Sequence, residues 1–444
     1  MSASPLRVAV VGSGPAGFYA AGHLLASDIA VEVDMIERLP TPWGLVRLGV
    51  APDHPNIKAV SRAFEKIAAQ PGFRFFGNVE LGRDVTHEEL SRLYDAVVYA
   101  VGAQTDRRLG IPGEDLPGSW AATELVAWYN AHPDYQAVPF DLNTERAVVV
   151  GAGNVALDVA RMLALSPEEL APTDTTDAAI AAINDSPLRE IVLLARRGPA
   201  QAAFTTPELK EMGELADADV IVDPADLEGA VGTDTNSERN LEVLRGYAAR
   251  PPSGRRRTVV FRFYVPPVEI RGEGRVEEIE IAHNELVADE RGGVRAVPTE
   301  RHETIPCGLV FRSVGYRGVA LPDVPFDEEL GVIPNDCGRV EPGLYCAGWI
   351  KRGPTGVIGT NKKDATETTE LLLEDARAGL LRRESDERLE SLLAERGVEF
   401  VVYGGWEAID LEERTRGDPH GRPRIKLCTW DELLKAAKSV AAGR

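Results

Sequence analysis

The strongest constraint on how this chain folds is a glycine triplet set between a strand and a helix. Val8 to Gly12 reads as a short buried strand. Gly12, Gly14 and Gly17 then follow in the spacing G-x-G-x-x-G, and an apolar helical run continues through Ala20, Ala21, Leu24 and Leu25. Each glycine has its own duty: Gly12 allows a tight turn, Gly14 lets a pyrophosphate approach the backbone, and Gly17 lets the helix lie close on the strand. The helix start then offers N–H groups and partial positive charge to phosphates. Glu37 ends the next apolar run, Val31 to Ile36. A carboxylate there accepts hydrogen bonds from an adenosine ribose and repels a 2′-phosphate, which predicts FAD or NAD at this site rather than NADP.

A second signature begins at Gly151. Gly151, Gly153 and Ala156 follow the apolar run Ala147 to Val150 in the G-x-G-x-x-A variant. The strand after it, Glu190 to Ala195, ends in Arg196 and Arg197 instead of an acid. Two guanidinium groups at that strand end supply the forked, charged donors that a ribose 2′-phosphate needs. One acidic and one basic nucleotide site in a single chain predict a flavin–nicotinamide pair. The fold class expected is α/β, with two Rossmann-like dinucleotide-binding domains and the NADP domain inserted into the FAD domain. The stretches Tyr99–Ala103 and Arg312–Tyr316, each an apolar strand ending in glycine, mark exit and re-entry. The expected domains are 1–104 with 317–444 for FAD, and 105–316 for NADP.

A length of 444 residues suits two or three domains. The net charge of −21 argues against nucleic-acid partners and against stable association with an anionic membrane. Cys307, Cys337, Cys346 and Cys428 form no C-x-x-C pair, so neither a sequence-local dithiol nor metal or cluster spacing is present. Isolated thiols, with no signal peptide or long apolar run, predict a cytoplasmic protein. Pro40–Pro55 reads as a long functional loop whose prolines and glycines forbid a regular helix. Helices are expected from about Ile57 to Ala69 and from about Val357 to Ala378. Further strands are expected at Phe73–Phe76, Ala96–Val101, Arg257–Val265, Val276–His283, Leu309–Ser313 and Gly343–Ile350. Ser166–Pro187 reads as an insertion, and Asp217–Gly254 as polar with weak periodicity.

Over nearly its whole length the sequence resembles the adrenodoxin-reductase type of ferredoxin–NADP⁺ reductase, a glutathione-reductase-like flavoprotein family. The motifs that carry the resemblance are Val11–Tyr19, Gly49–Pro55, Gly153–Arg161, Arg196–Pro199, Phe204–Thr205 with Glu208–Leu209, and Gly348–Ile358. It is most similar to bacterial members without an added ferredoxin-like domain. The resemblance implies FAD contacts at Ala16, Glu37, Leu45, Leu81, Trp349, Gly356, Val357 and Ile358. It implies NADP contacts at Ala152, Gly153, Asn154, Val155, Arg196, Arg197, Glu208 and Gly356. His54 and Glu208 are placed beside the nicotinamide as the catalytic pair. Pro207 stands before Glu208 where lysine is usual, which restricts the backbone there.

The implied activity is hydride transfer from NADPH to flavin N5, then release of single electrons to a ferredoxin-type iron–sulfur protein, with a cytochrome P450 as a downstream oxidase. An NADPH oxidoreductase with a quinone or other small acceptor is the alternative. Hydride transfer needs no proton donor at the nicotinamide, so orientation is the role expected of His54. No metal site is expected. Arg107, Arg108 and Arg255 to Arg257 are the expected basic docking face for an acidic ferredoxin, with Lys351, Arg352, Lys362 and Lys363 as the second choice.

Overall fold

Parallel strands need crossover connections, and crossovers cover both faces of a sheet. Such strands therefore read as apolar runs, and Val8–Val11 within the strand Leu6–Val11 is one. The computed structural model of the chain describes residues 4–288 and 294–439. It divides into two compact units. The first comprises the described residues of Met1–Thr105, Tyr316–His420 and Arg424–Arg444; the second comprises Asp106–Gly315 and Gly421–Pro423.

In the first unit, six strands lie in the order Arg339–Glu341, Leu344–Cys346, Ala96–Tyr99, Leu6–Val11, Val31–Glu37, Phe73–Gly77. All pairings are parallel except the edge strand Arg339–Glu341. Alternation along Leu6–Val11 divides the core. Val8 and Val10 pack with Phe18, Leu24, Leu372 and Trp406 on one face, while Ala9 and Val11 pack with Leu90, Leu93 and Leu393 on the other. Phe18 is fully buried and stacks on Phe64 at 4.9 Å between ring centres. Burial of a side chain of that size stabilises by roughly 1.5–3 kcal/mol.

The second unit carries a six-stranded parallel sheet ordered Ser119–Ala121, Leu309–Arg312, Arg146–Val150, Glu190–Leu194, Arg257–Arg262, Ala218–Val222. An antiparallel sheet, Pro267–Arg271, Glu278–Ala288 and Val294–Pro306, covers one face, where Ile270, Ile279 and Ile281 meet Val148, Val150, Val192 and Leu194. The helix Asn154–Ala164 packs on the parallel sheet as well. The architecture is the α/β pair of Rossmann-like units expected, the second inserted in the first.

Several local expectations need correction. The loop Pro40–Pro55 does hold one helical turn, Leu45–Leu48, because it fits between Gly44 and Gly49. The expected helix Ile57–Ala69 is two pieces, Pro55–Lys58 and Ser61–Ala68. Gly343–Ile350 is a strand over Leu344–Cys346, and Trp349–Arg352 turns into a helix. Ser166–Pro187 holds the helices Pro167–Leu170 and Asp177–Asp185. The guanidinium of Arg422 donates to the carbonyls of Thr173 and Thr175 beside them. The polar stretch Asp217–Gly254 conceals the edge strand Ala218–Val222 and the helix Thr235–Ala248. An edge strand is half-covered, so its apolar pattern is weak. Here Asp219 also accepts the backbone N–H groups of Ser253, Gly254 and Arg255.

Candidate cofactor and nucleotide sites

The three glycines of the first turn are required for three different reasons. Gly12 has φ +105°, and a Cβ there would sit 2.5 Å from the carbonyl oxygen of Ala100. A Cβ on Gly17 would overlap the carbonyl oxygen of Gly12, so only glycine lets this helix approach its strand. A Cβ on Gly14 would meet nothing within 4 Å. That is an open approach to the start of the helix Pro15–Leu25, which has no side-chain cap. Bare backbone donors beside empty space suit a pyrophosphate. Glu37 is held beside the same turn: one oxygen accepts Ser13 N at 3.1 Å and Ser13 Oγ at 2.7 Å, the other Leu39 N at 3.0 Å.

The loop that follows is seated on this turn. Trp43 N donates to Ser13 O at 3.0 Å, and a Cβ on Gly44 would stand 3.0 Å from Gly14 Cα. Trp43 itself has φ +83°, a costly conformation for a bulky residue. Leu45 is exposed, His54 is buried and begins the helical turn Pro55–Lys58, and Leu81 packs at the rim of the other core face.

The late motif comes to the same place. Gly348 has φ +80°, and a Cβ there would lie 2.6 Å from Ala16 Cβ. The Gly348 N–H donates to the buried carboxylate of Asp364 at 2.5 Å. Trp349 sits 5.3 Å from the Tyr316 ring, and its indole N–H donates to Thr355 O at 3.2 Å. Gly356 has φ +82° and precedes Val357, which is 61% exposed. Ile358 packs against the core. The expected helix start at Gly356–Val357 falls later: the helix is Thr360–Arg377, capped by Gly359. Leu45, next to the turn, and Val357, in the late motif, are thus apolar and uncovered, which fits a planar cofactor in this unit.

In the second unit Gly151 has φ +150°, and a Cβ there would overlap Ser313 O. A Cβ on Gly153 would again meet nothing within 4 Å, and Gly153 caps the helix Asn154–Ala164. Ala152 O accepts Ala203 N at 2.7 Å, and Asn154 Oδ1 accepts Thr205 N at 2.8 Å. Val155 is half-buried. Arg196 and Arg197 are exposed, while their carbonyls are held by Asn284 and Tyr264. Glu208 lies 3.7 Å from the buried guanidinium of Arg161, in the helix Thr206–Glu211. Pro207 occupies the first turn of that helix, where no N–H is needed, so the departure from lysine does not break it.

Residues 6–171 match the family model described as pyridine nucleotide-disulphide oxidoreductase. The chain is 51% identical over 450 residues to the NADPH-ferredoxin reductase FprA of Mycobacterium tuberculosis, covering 97% of this chain and 99% of that protein. It is 44% identical to the human mitochondrial NADPH:adrenodoxin oxidoreductase, covering 97% and 91%. The chain belongs to the adrenodoxin-reductase type of ferredoxin–NADP⁺ reductases. The structure of M. tuberculosis FprA in complex with NADPH matches this reductase with a TM-score of 0.94 at 50% identity, covering 98% of this chain and 99% of that one.

Within the two basic surfaces expected, Arg257 and Lys351 are not at the surface. Arg257 is buried and donates to the carbonyls of Leu163, Leu165, Ile183 and Leu188, and burial lowers its pKa to about 10. Arg255 and Arg256 also turn their guanidinium groups onto carbonyls, those of Leu215, Ala218, Asn184 and Ser186. Lys351 is buried against Asp364, Glu367 and Thr368, and Arg352 bonds Thr355 O and Asn361. Arg108 pairs with Asp115. Arg107, Lys362 and Lys363 are exposed. Burial pushes the thiols of Cys307 and Cys346 up to about 12, which leaves them inert. Among the described residues no helix is long and apolar enough to cross a membrane.

Sequence reasoning missed Trp43, Asp364 and Glu413. Trp43 could have been suspected from its place between proline and Gly44. Asp364 and Glu413 look like ordinary helix-surface acids, and only tertiary packing buries them.

Proposed function

We propose that this chain is an NADPH-dependent, FAD-containing reductase that delivers electrons to a ferredoxin-type iron–sulfur protein. The observation that carries the reading is the pair of open phosphate turns with opposite strand ends, Glu37 at one and Arg196 with Arg197 at the other. The relatives' names, NADPH-ferredoxin reductase and NADPH:adrenodoxin oxidoreductase, support the same donor and acceptor class.

We assign FAD to 1–104 with 317–444, and NADP to 105–316. Gly14 and the helix start behind it receive the FAD pyrophosphate, and Glu37 accepts the ribose hydroxyls. Leu45, Leu81, Trp349 and Gly356 to Ile358 enclose the flavin. Gly153, Asn154 and Val155 receive the second pyrophosphate, and Arg196 and Arg197 grip the 2′-phosphate through charged hydrogen bonds. His54 and Glu208 orient the nicotinamide. Bound FAD supplies a carrier that takes two electrons together and releases them one at a time. A cytoplasmic setting suits the four cysteines, none of which is disulfide-bonded.

The test is direct. Purified protein should be yellow with releasable FAD, and should reduce ferredoxin with NADPH but poorly with NADH. A colourless protein that cannot be reconstituted with FAD overturns the reading. Turnover with quinones and none with any ferredoxin moves the acceptor to a small molecule.

A further inference from the structure

The loop seated on the first phosphate turn is anchored from behind by buried charge. The side chains of Arg47 and Glu413 are 3% and 0% exposed. They meet as a two-bond fork, Nη1 to Oε2 at 2.8 Å and Nη2 to Oε1 at 2.5 Å. Arg424 adds a second cation to Glu413 at 3.2 Å, and Leu427 N donates to the same carboxylate at 2.9 Å. The Arg47 guanidinium lies 5.2 Å from the centre of the Trp406 ring, and Trp406 meets Trp43 edge-on at 4.8 Å. Lys426 Nζ holds the Arg47 carbonyl at 3.2 Å. The helix Tyr403–Gly417 and the segment after it therefore grip both the side chain and the main chain of Arg47.

Taking paired ions out of water is costly, and the cost is offset only where geometry and extra hydrogen bonds are good. A strained residue likewise persists only where its surroundings over-determine it. Both features occur within five residues. Trp43 sits at φ +83° with its indole nitrogen buried and without a hydrogen bond, and Arg47 sits in the ion pair.

We propose that Glu413 is a positioning residue for the flavin. Through Arg47 it locks Trp43–Leu48 onto Ser13 and Gly14, so the helix Tyr403–Gly417, far along the chain, sets how firmly FAD is kept. The inference rests on the reading of the first unit as the FAD site.

The experiment compares Glu413→Gln and Arg47→Met with Arg339→Met in the holoenzyme. Arg339 pairs with the buried Asp375 in the last turn of Thr360–Arg377, so its loss also takes the cation from a buried acid of the same unit, which keeps the Tyr345 hydroxyl. FAD release is followed by the rise in flavin fluorescence, and melting temperature is measured in parallel. The two loop variants are expected to release FAD at least about tenfold faster than wild type, and Arg339→Met at the wild-type rate, although all three melt lower. Trypsin supplies a readout without FAD: the bond after Arg47 resists cleavage in wild-type apoprotein and is cut in Glu413→Gln. Should Glu413→Gln not fold, Glu413→Asp keeps the charge and shortens the reach, with release and cleavage between the two extremes. Wild-type release and protection in the Glu413 variants, or equally fast release from Arg339→Met, overturns the proposal. Wild-type protein that takes up no FAD would overturn the functional reading, and this inference with it.

Discussion

The two phosphate turns share a backbone and differ in what occupies the place after the first glycine. In the first turn it is Ser13, whose N–H and hydroxyl both bond Glu37. In the second it is Ala152, which has no side-chain donor and whose carbonyl is taken by Ala203. The acid of the first site is thus part of the turn, fixed before any ligand arrives. The arginines of the second site stand in solvent on a pinned backbone. One charged group is built into its turn, and on the proposed reading the other pair is free of side-chain duty in the fold. On the same reading, that fits a tightly kept cofactor in the first unit and a coenzyme that must come and go in the second.

The largest effect should come from the glycines the two turns share. Gly12→Ala forces a Cβ onto Ala100 O at positive φ, and Gly151→Ala does the same at Ser313. Each is expected to cost about 3 kcal/mol or more, read by denaturant unfolding. Gly14→Ala and Gly153→Ala meet no neighbour, so their apoproteins should melt like wild type while cofactor binding suffers. Equal destabilisation by all four would break the distinction between backbone need and ligand need.

Next comes the basic strand end. Arg196→Ala with Arg197→Ala should lower kcat/KM for NADPH by at least about 10²-fold, from two charged bonds worth roughly 1.5–3 kcal/mol each. NADH turnover and melting temperature should not change. Equal losses with both coenzymes would mean that the arginines hold structure.

Glu37→Gln should do the opposite kind of damage. It weakens three hydrogen bonds within the protein, so stability is expected to fall by about 1–2 kcal/mol even without FAD. FAD retention should drop by about tenfold, since the charge that favours the ribose donors is lost. An apoprotein of unchanged melting temperature would remove the contrast with the arginines.

The smallest effect is expected at Arg255 and Arg256. Each turns one guanidinium nitrogen onto backbone carbonyls, and Arg255 also faces Asp219. Changing both to Gln should alter ferredoxin reduction and its salt dependence by less than about twofold, whereas Lys362→Gln with Lys363→Gln should reduce association more clearly at low salt. Stopped-flow measurements across ionic strength separate the pairs. A strong effect at Arg255 and Arg256 would return the docking face to the second unit.

Both nucleotide turns, their glycines and the opposite charges at Glu37 and Arg196 were legible because each is local. A strand, a turn and a helix start lie within about a dozen residues, and backbone sterics dictate the spacing. The central strands Val8–Val11, Ala96–Tyr99, Ala147–Val150 and Ile191–Leu194 were legible for the same reason, since burial on both faces leaves continuous apolar runs. The edge strand Ala218–Val222 was not legible, because half-coverage weakens that signal.

The amino-acid sequence by itself thus determined the fold class, the two phosphate turns and the sign of charge beside each. Only the tertiary structure decided which charges are available. Arg257 and Lys351 read as surface cations, yet one fills four carbonyls inside the second unit and the other is buried against Asp364. Glu413 reads as one of a run of helix acids, yet it stands 366 positions from its partner Arg47. Periodicity reports which face of a segment is apolar. It carries no record of which distant segment will remove a particular charge from water, and that is what makes a charge a docking group, a positioning group or a staple.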